Sequence, residues 1–251
     1  MLYLILFVLG AVVGSFLNVC IYRLPRDMSI VMPPSHCPGC GARLSPFDMI
    51  PLFSYLFLRG KCRQCGKAIS AKYPVVELIT ALVFVALSFI YGPTADLVFS
   101  LILISSLIVV FFADLETQII PDQVSVVILG SGLAKFYFYG DLLGSLTGAI
   151  AGFILMYGFY RLGSALYKQE AMGGGDIKLA AALGAFFGWQ SLLLCLFLSF
   201  LIGAVVSIAL MAAKIKKRTD VIPFGPAMVM AAVIVLFLGK TILNIYYGIA
   251  V

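Results

Sequence analysis

Two sets of residues in this 251-residue chain have the types and the spacing for chemistry. The first is cysteine: Cys37 and Cys40 stand in "CPGCGARL", Cys62 and Cys65 in "CRQCGKAI". Two-residue spacing aims both sulfurs of a pair at one ion, and the glycine after each pair (Gly41, Gly66) permits the tight turn. Two such knuckles complete a tetrahedral site, so the expected ligand is a structural Zn²⁺. Arg59, Lys61, Arg63 and Lys67 offset the charge of four thiolates. Disulfides are the competing reading, disfavoured once the loop is placed in a reducing compartment. His36, the single histidine, is a weaker rival ligand, and Cys20 and Cys195 lie in apolar segments as packing residues.

The second set is acidic. Asp114 closes an apolar run in "ADLETQIIPD" (113–122), and Asp176 follows three glycines in "GGGDIKL" (173–179). Asp176 reads first as an N-cap. That leaves Gly173–Gly175 unexplained, since glycine in an ordered junction costs conformational entropy. Glycines suit a place where another backbone, a substrate strand or a second carboxylate must come close. Two carboxylates held together share one proton and titrate as a unit. The charged member can take a proton from water while the neutral one donates to a carbonyl oxygen, which is peptide hydrolysis without a covalent intermediate. With one histidine there is no Ser-His-Asp set; H-E-x-x-H, the Walker loop and the dinucleotide fingerprint are also absent.

Other acids carry weaker signals. Asp122 reads as an anion at a helix N-terminus. Glu77 lies one turn into the second apolar segment, where its plain reading is an interfacial carboxylate paired with Lys72 or Lys178. Lys178 either orients a carboxylate or snorkels. Asp27, Asp48, Asp96, Asp141, Glu170 and Asp220 read as interfacial or loop residues.

The elements that must position these residues are membrane helices. The chain is 63% hydrophobic and 11% charged, with mean hydropathy +1.11, which excludes a soluble globular domain. Apolar runs of near-spanning length fall at about 1–22, 75–91, 97–113, 121–139, 142–161, 177–188, 191–213 and 222–247. The expected fold is all-α: a polytopic integral membrane protein of about eight helices with a short sixth one, plus a small zinc-bound loop domain. Its parts are a first helix (1–22), a four-cysteine domain (23–73) and a membrane core (74–251). The first segment lacks a basic n-region and is expected to be retained. With the N-terminus outside, fifteen of the seventeen Lys and Arg, Lys168 and Arg218 among them, fall on the cytoplasmic side, as the positive-inside bias requires. Only Lys135 and Lys240 fall opposite, and both termini are then outside. The net charge of +6 thus reports orientation and implies no nucleic-acid partner. The sixth segment is too short for the ~30 Å hydrocarbon core, which places Asp176 in a thinned or water-filled recess on the same side as Asp114.

Six collinear motifs resemble the type IV prepilin peptidases, bacterial membrane aspartic proteases with a G-x-G-D motif. They are "GSFLNVCIYRLP" (14–25), "CPGC…CRQCG", "YPVVELITA" (73–81), "ADLETQIIPD", "GGGDIKL" and "IPFGP" (222–226). The resemblance implies Asp114 and Asp176 as the catalytic pair and cleavage of prepilin or pseudopilin precursors at the cytoplasmic face of the bacterial inner membrane. It implies that Cys37, Cys40, Cys62 and Cys65 belong to the family's cytoplasmic cysteine domain, and it implies methylation of the new N-terminus with S-adenosylmethionine as donor. A substrate or methyl-transfer role at Glu77 and Lys178 is a secondary expectation. The resemblance gives no S-adenosylmethionine-binding residues and no oligomeric state. "IPFGP" is expected to kink the start of the last helix through its prolines. Rival readings are a carboxylate-dependent transporter or proton channel, and a scaffold whose zinc loop docks a partner.

Overall fold

The computed structural model describes residues 1–167, 173–217, 222–246 and 248. The readings placed on Lys168, Glu170, Arg218 and Asp220 lie outside the described residues. Among those described the chain is helical, with two isolated bridges and no strand. In order come α1 (Leu2–Arg23), α2 (Phe53–Phe57), α3 (Lys72–Tyr91), α4 (Ala95–Thr117), α5 (Asp122–Phe138), α6 (Leu142–Tyr167), α7 (Gly174–Ala212) and α8 (Gly225–Tyr246). Six of these (α1, α3, α4, α6, α7 and α8) are long and apolar enough to cross a membrane. The chain is therefore a polytopic helical membrane protein. It forms two compact units, Met1–Leu97 and Val98–Val251.

In the first unit, α1 packs on α3. The buried positions of α1 include Leu6, Gly10, Gly14, Leu17 and Ile21, spaced three or four apart so that they share one face. A methyl group at Gly10 would lie 2.7 Å from Ala81 Cα, and one at Gly14 equally close to Glu77 Cα. This small-xxx-small seam brings two backbones together where lipid gives helices no hydrophobic reason to associate. Between α1 and α3 runs the cysteine loop. It has almost no apolar interior: from Leu24 to Tyr73 the only buried residues are Cys37, Gly60 and Cys62.

In the second unit the first part of α7 is the centre. Leu179, Ala180, Ala182, Leu183, Ala185 and Phe186 are all essentially inaccessible. Gly148 and Gly152 of α6 face Gly184 and Ala180 of α7, each so close that a side chain would strike the opposing carbonyl. On another side, a methyl group at Gly132 of α5 would lie 2.6 Å from the Ala185 carbonyl carbon. Ser145 Oγ donates to Ala185 O at 2.8 Å, which satisfies a buried hydroxyl across the same seam.

Several expected boundaries move. The third apolar run does not stop at 113, because α4 continues to Thr117. Thr117 Oγ1 donates to Ala113 O, and the helix ends only at Gln118, in the left-handed region at φ +55°. The polar interruption shrinks from 114–122 to 118–121. The sixth segment begins earlier than expected, at Gly174, and breaks at Gly188 (φ 74°, ψ 168°). Residues 174–187 thus form a short helix of about 21 Å at 1.5 Å per residue, followed by a second helical part, 189–212.

The seams give a direct test. Gly148→Val is expected to lower stability in detergent by about 1–3 kcal/mol through overpacking. Gly130→Ala, which meets open space on α5, is expected to leave the melting temperature unchanged or slightly raised.

Candidate active site and metal centre

The two aspartates lie near the end of α4 and at the start of α7. Asp114 sits one turn before the end of α4, where Gln118 N donates to its carbonyl at 2.9 Å. Asp176 is the third residue of α7 and buried, so it is not the N-cap; Gly173 takes that position, and Asp176 N donates to Gly173 O at 3.2 Å. The first turn of α7 presses on the turn after α4, where a methyl group at Gly175 would lie 3.0 Å from Ile120 Cβ. The residues expose only 5% (Asp114) and 8% (Asp176) of their surface, a far narrower opening than an open recess. They lie close enough for the charge of Asp114 to act on Asp176.

Asp114 has a further neighbour that sequence reasoning missed. The Gly225 amide, at the start of α8, faces its carboxylate. A methyl group at Gly225 would lie 2.5 Å from Asp114 Oδ2. That oxygen is buried and has no hydrogen-bond partner among the described residues. A buried carboxylate oxygen without a hydrogen-bond donor is costly to maintain. The available signal was a glycine at a helix start, where it has no conformational advantage. "IPFGP" therefore does more than kink the chain.

The three glycines now separate. Gly175 packs tightly against Ile120, where a methyl group would press on the Ile120 side chain. Among the described residues, a side chain at Gly173 would meet Asp176 Oδ2, at 3.6 Å, and one at Gly174 nothing within 4 Å. No described residue therefore crowds Gly174 at the N-terminus of α7. Lys178 does not join the pair: its Nζ lies 2.8 and 2.7 Å from the two carboxylate oxygens of Asp122. The carboxylate it orients is that one, and the exposed ion pair contributes at most about 1 kcal/mol.

In the other unit, Glu77 is buried and its Oε2 accepts from Leu52 N at 2.8 Å. Leu52 needs the tie, since it holds an unfavourable φ of +64°. Asn18 donates to Tyr73 O at 3.1 Å, and buried Arg23 donates to Ser29 O and Pro33 O. These residues of the first-helix and second-helix motifs clamp the ends of the cysteine loop to the helices.

The four cysteines of that loop converge. All four Sγ atoms lie within 4.8 Å of one another, with Cys37 and Cys65 at 3.9 Å. Zn–S bonds of about 2.3 Å in a tetrahedron need sulfurs a little under 4 Å apart, so the donor set fits. The two knuckles repeat the same turn: Cys37 N donates to Ala42 O and Cys62 N to Lys67 O, both at 2.9 Å. Gly41 and Gly66 share φ +70°, the conformation that makes glycine the fitting residue there. The Gly39 and Cys40 amides hold the Cys37 thiol down at about 6. The Ala42 amide favours the Cys40 thiolate too, but desolvation and the neighbouring sulfurs outweigh it and push Cys40 up to about 11. A cation at the centre is what would hold all four deprotonated. His36 turns away, its Nδ1 3.1 Å from Pro34 O.

Two buried acids among apolar helices and four clustered cysteines in a loop mark a helical membrane protein with candidate sites for acid chemistry and for a metal. Known proteins supply the family. Residues 8–91 match the Bacterial Peptidase A24 N-terminal domain, and 101–208 the Type IV leader peptidase family. Among curated proteins, the prepilin leader peptidase/N-methyltransferase of Aeromonas hydrophila is 36% identical, covering 96% of this chain and 92% of its own. The protein of the same name from Pseudomonas aeruginosa is 35% identical over 95% and 91%. That of Bacillus subtilis is 35% identical over 98% of both chains. No solved structure matches the chain. This chain belongs to the type IV leader peptidase family.

The contact at Gly225 yields a test. Gly225→Ala is expected to displace the Asp114 carboxylate and lower peptidase turnover by about 10²-fold with the fold intact. Gly225→Ala at wild-type turnover would remove Gly225 from the site.

Proposed function

We propose that Asp114 and Asp176 hold one proton between them and direct one water molecule at a peptide bond. The activity they serve is that of a prepilin leader peptidase with N-methyltransferase activity. The observation that supports this reading is that Asp114, near the end of α4, and Asp176, in the first turn of α7, are both buried and near enough for one charge to act on the other. Asp114 Oδ2 has no hydrogen-bond partner among the described residues. The ionised carboxylate removes a proton from water as the oxygen attacks the scissile carbonyl. The neutral one donates to the carbonyl oxygen, and the departing amine takes a proton as the C–N bond breaks. The lack of side chains at Gly173 and Gly174 suits passage of a substrate backbone beside Asp176.

Substrates are prepilin or pseudopilin precursors, whose basic leader followed by an apolar helix suits a cut at the bilayer surface. Counting α5 and both parts of α7 as spans gives eight helices, with both termini outside and the acid pair and cysteine loop cytoplasmic. The bilayer is the bacterial inner membrane. Zn²⁺ at Cys37, Cys40, Cys62 and Cys65 is structural, since four protein ligands leave no open position and the loop has no other interior. S-adenosylmethionine supplies the methyl group. Glu77 serves this chemistry through the loop it ties down; its carboxylate is engaged by the Leu52 amide.

Purified protein incubated with a prepilin and S-adenosylmethionine is expected to shorten the precursor and add one methyl mass. Asp114→Asn and Asp176→Asn are each expected to lower cleavage by about 10²–10⁴-fold at unchanged expression. Substantial cleavage by both variants would reject the acid pair. Elemental analysis is expected to find one zinc per chain, lost in Cys62→Ser together with resistance of the 24–71 loop to trypsin.

A further inference from the structure

Between the two knuckles the chain carries a helix with its apolar side turned outward. In α2, Phe53, Leu56 and Phe57 lie on one face at spacings of three and four. They expose 62%, 72% and 82% of their surface, and Phe47 just before them exposes 74%. The polar members point the other way: Tyr55 is half-buried and its hydroxyl donates to Ile69 O at 3.4 Å. A short helix in a water-facing loop would be expected to show the reverse arrangement.

Its position along the membrane normal follows from what pins the inner face. Leu52, the residue before α2, is tied to Glu77, five residues into α3 and so about 8 Å along its axis. The carbonyl that Tyr55 bonds belongs to Ile69, three residues before α3 begins. Both ties place α2 at the level where α3 enters the bilayer. Beyond α2 follow Arg59, Lys61, Arg63 and Lys67, all exposed, of which Arg63 also meets Asp48 at 2.8 Å. An apolar face beside a run of cations, at the depth of the headgroups, matches the surface of an anionic bilayer.

We propose that α2 is an interfacial helix: Phe47, Phe53, Leu56 and Phe57 insert into the leaflet on the loop side, and the basic run beside them contacts anionic headgroups. The partner is the lipid of the membrane the protein spans. This membrane contact, together with the Glu77–Leu52 tie, would hold the metal loop against the bilayer surface.

The test uses the full chain in nanodiscs, with the single tryptophan removed by Trp189→Phe. Phe57→Trp and, separately, Phe53→Trp place a reporter on the outward face, with bound zinc checking that the loop is folded. The expected result is loss of most of the emission with lipids brominated near the headgroup end of the acyl chain, and weaker quenching with bromine near the chain end. Emission typical of water-exposed indole and insensitive to bromine would overturn the proposal. So would a blue-shifted, unquenched emission, which would mean that protein covers the face. A variant that loses zinc is set aside, and the other reporter position decides.

Discussion

Helices in a bilayer gain nothing by hiding apolar surface from one another, because lipid is as apolar as leucine. Something else must bring them together, and in this protein it is the absence of side chains. Gly10 and Gly14 let α1 reach the backbone of α3; Gly148, Gly152, Ala180 and Gly184 let α6 and α7 touch. Close contact converts many weak dispersion terms into a defined position. The first part of α7 is gripped this way by α5 and α6 together, and Asp176 stands at its open end. The location of that acid is therefore a consequence of small residues one to two turns further along the same helix.

The acid pair depends on that rigidity. A carboxylate placed in a membrane protein interior is costly unless something holds it and something uses it. Asp114 faces the Gly225 amide, and its Oδ2 has no hydrogen-bond partner among the described residues. Asp176 is held by the first turn of a helix only 174–187 long before its break, about 21 Å against a hydrocarbon core of about 30 Å. A helix that short is about 9 Å less than the core thickness, so its first turn, which carries Asp176, need not stand at the level where a full-length span would begin. Gly188 is what permits the short helix to end and a second part to continue.

How much of this could be read from the sequence depended on which physical signal each feature leaves. Hydropathy located the apolar segments, and the cysteine spacing together with Gly41 and Gly66 described the knuckles before any coordinates. The packing faces were harder to see, because helices that are apolar on all sides carry little amphipathic signal; only their glycines mark the seams. The start of α7 was misjudged for a related reason. Gly174 and Gly175 look like loop residues by propensity, yet both belong to α7, and Gly175 packs against Ile120. Asp114 looked like a helix end because it is charged, whereas α4 runs on to Thr117. Gly225 was hidden in a proline-rich motif whose prolines offered a sufficient local explanation.

The central claim is that two acids far apart in sequence meet at one point. The most direct measurement replaces both with cysteine, Asp114→Cys and Asp176→Cys in one chain, and asks whether a mild oxidant or the shortest bifunctional thiol reagent joins them in the membrane. The account predicts efficient joining in the double variant and none in either single variant. Two cysteines that each react with a monofunctional reagent yet never join would contradict it.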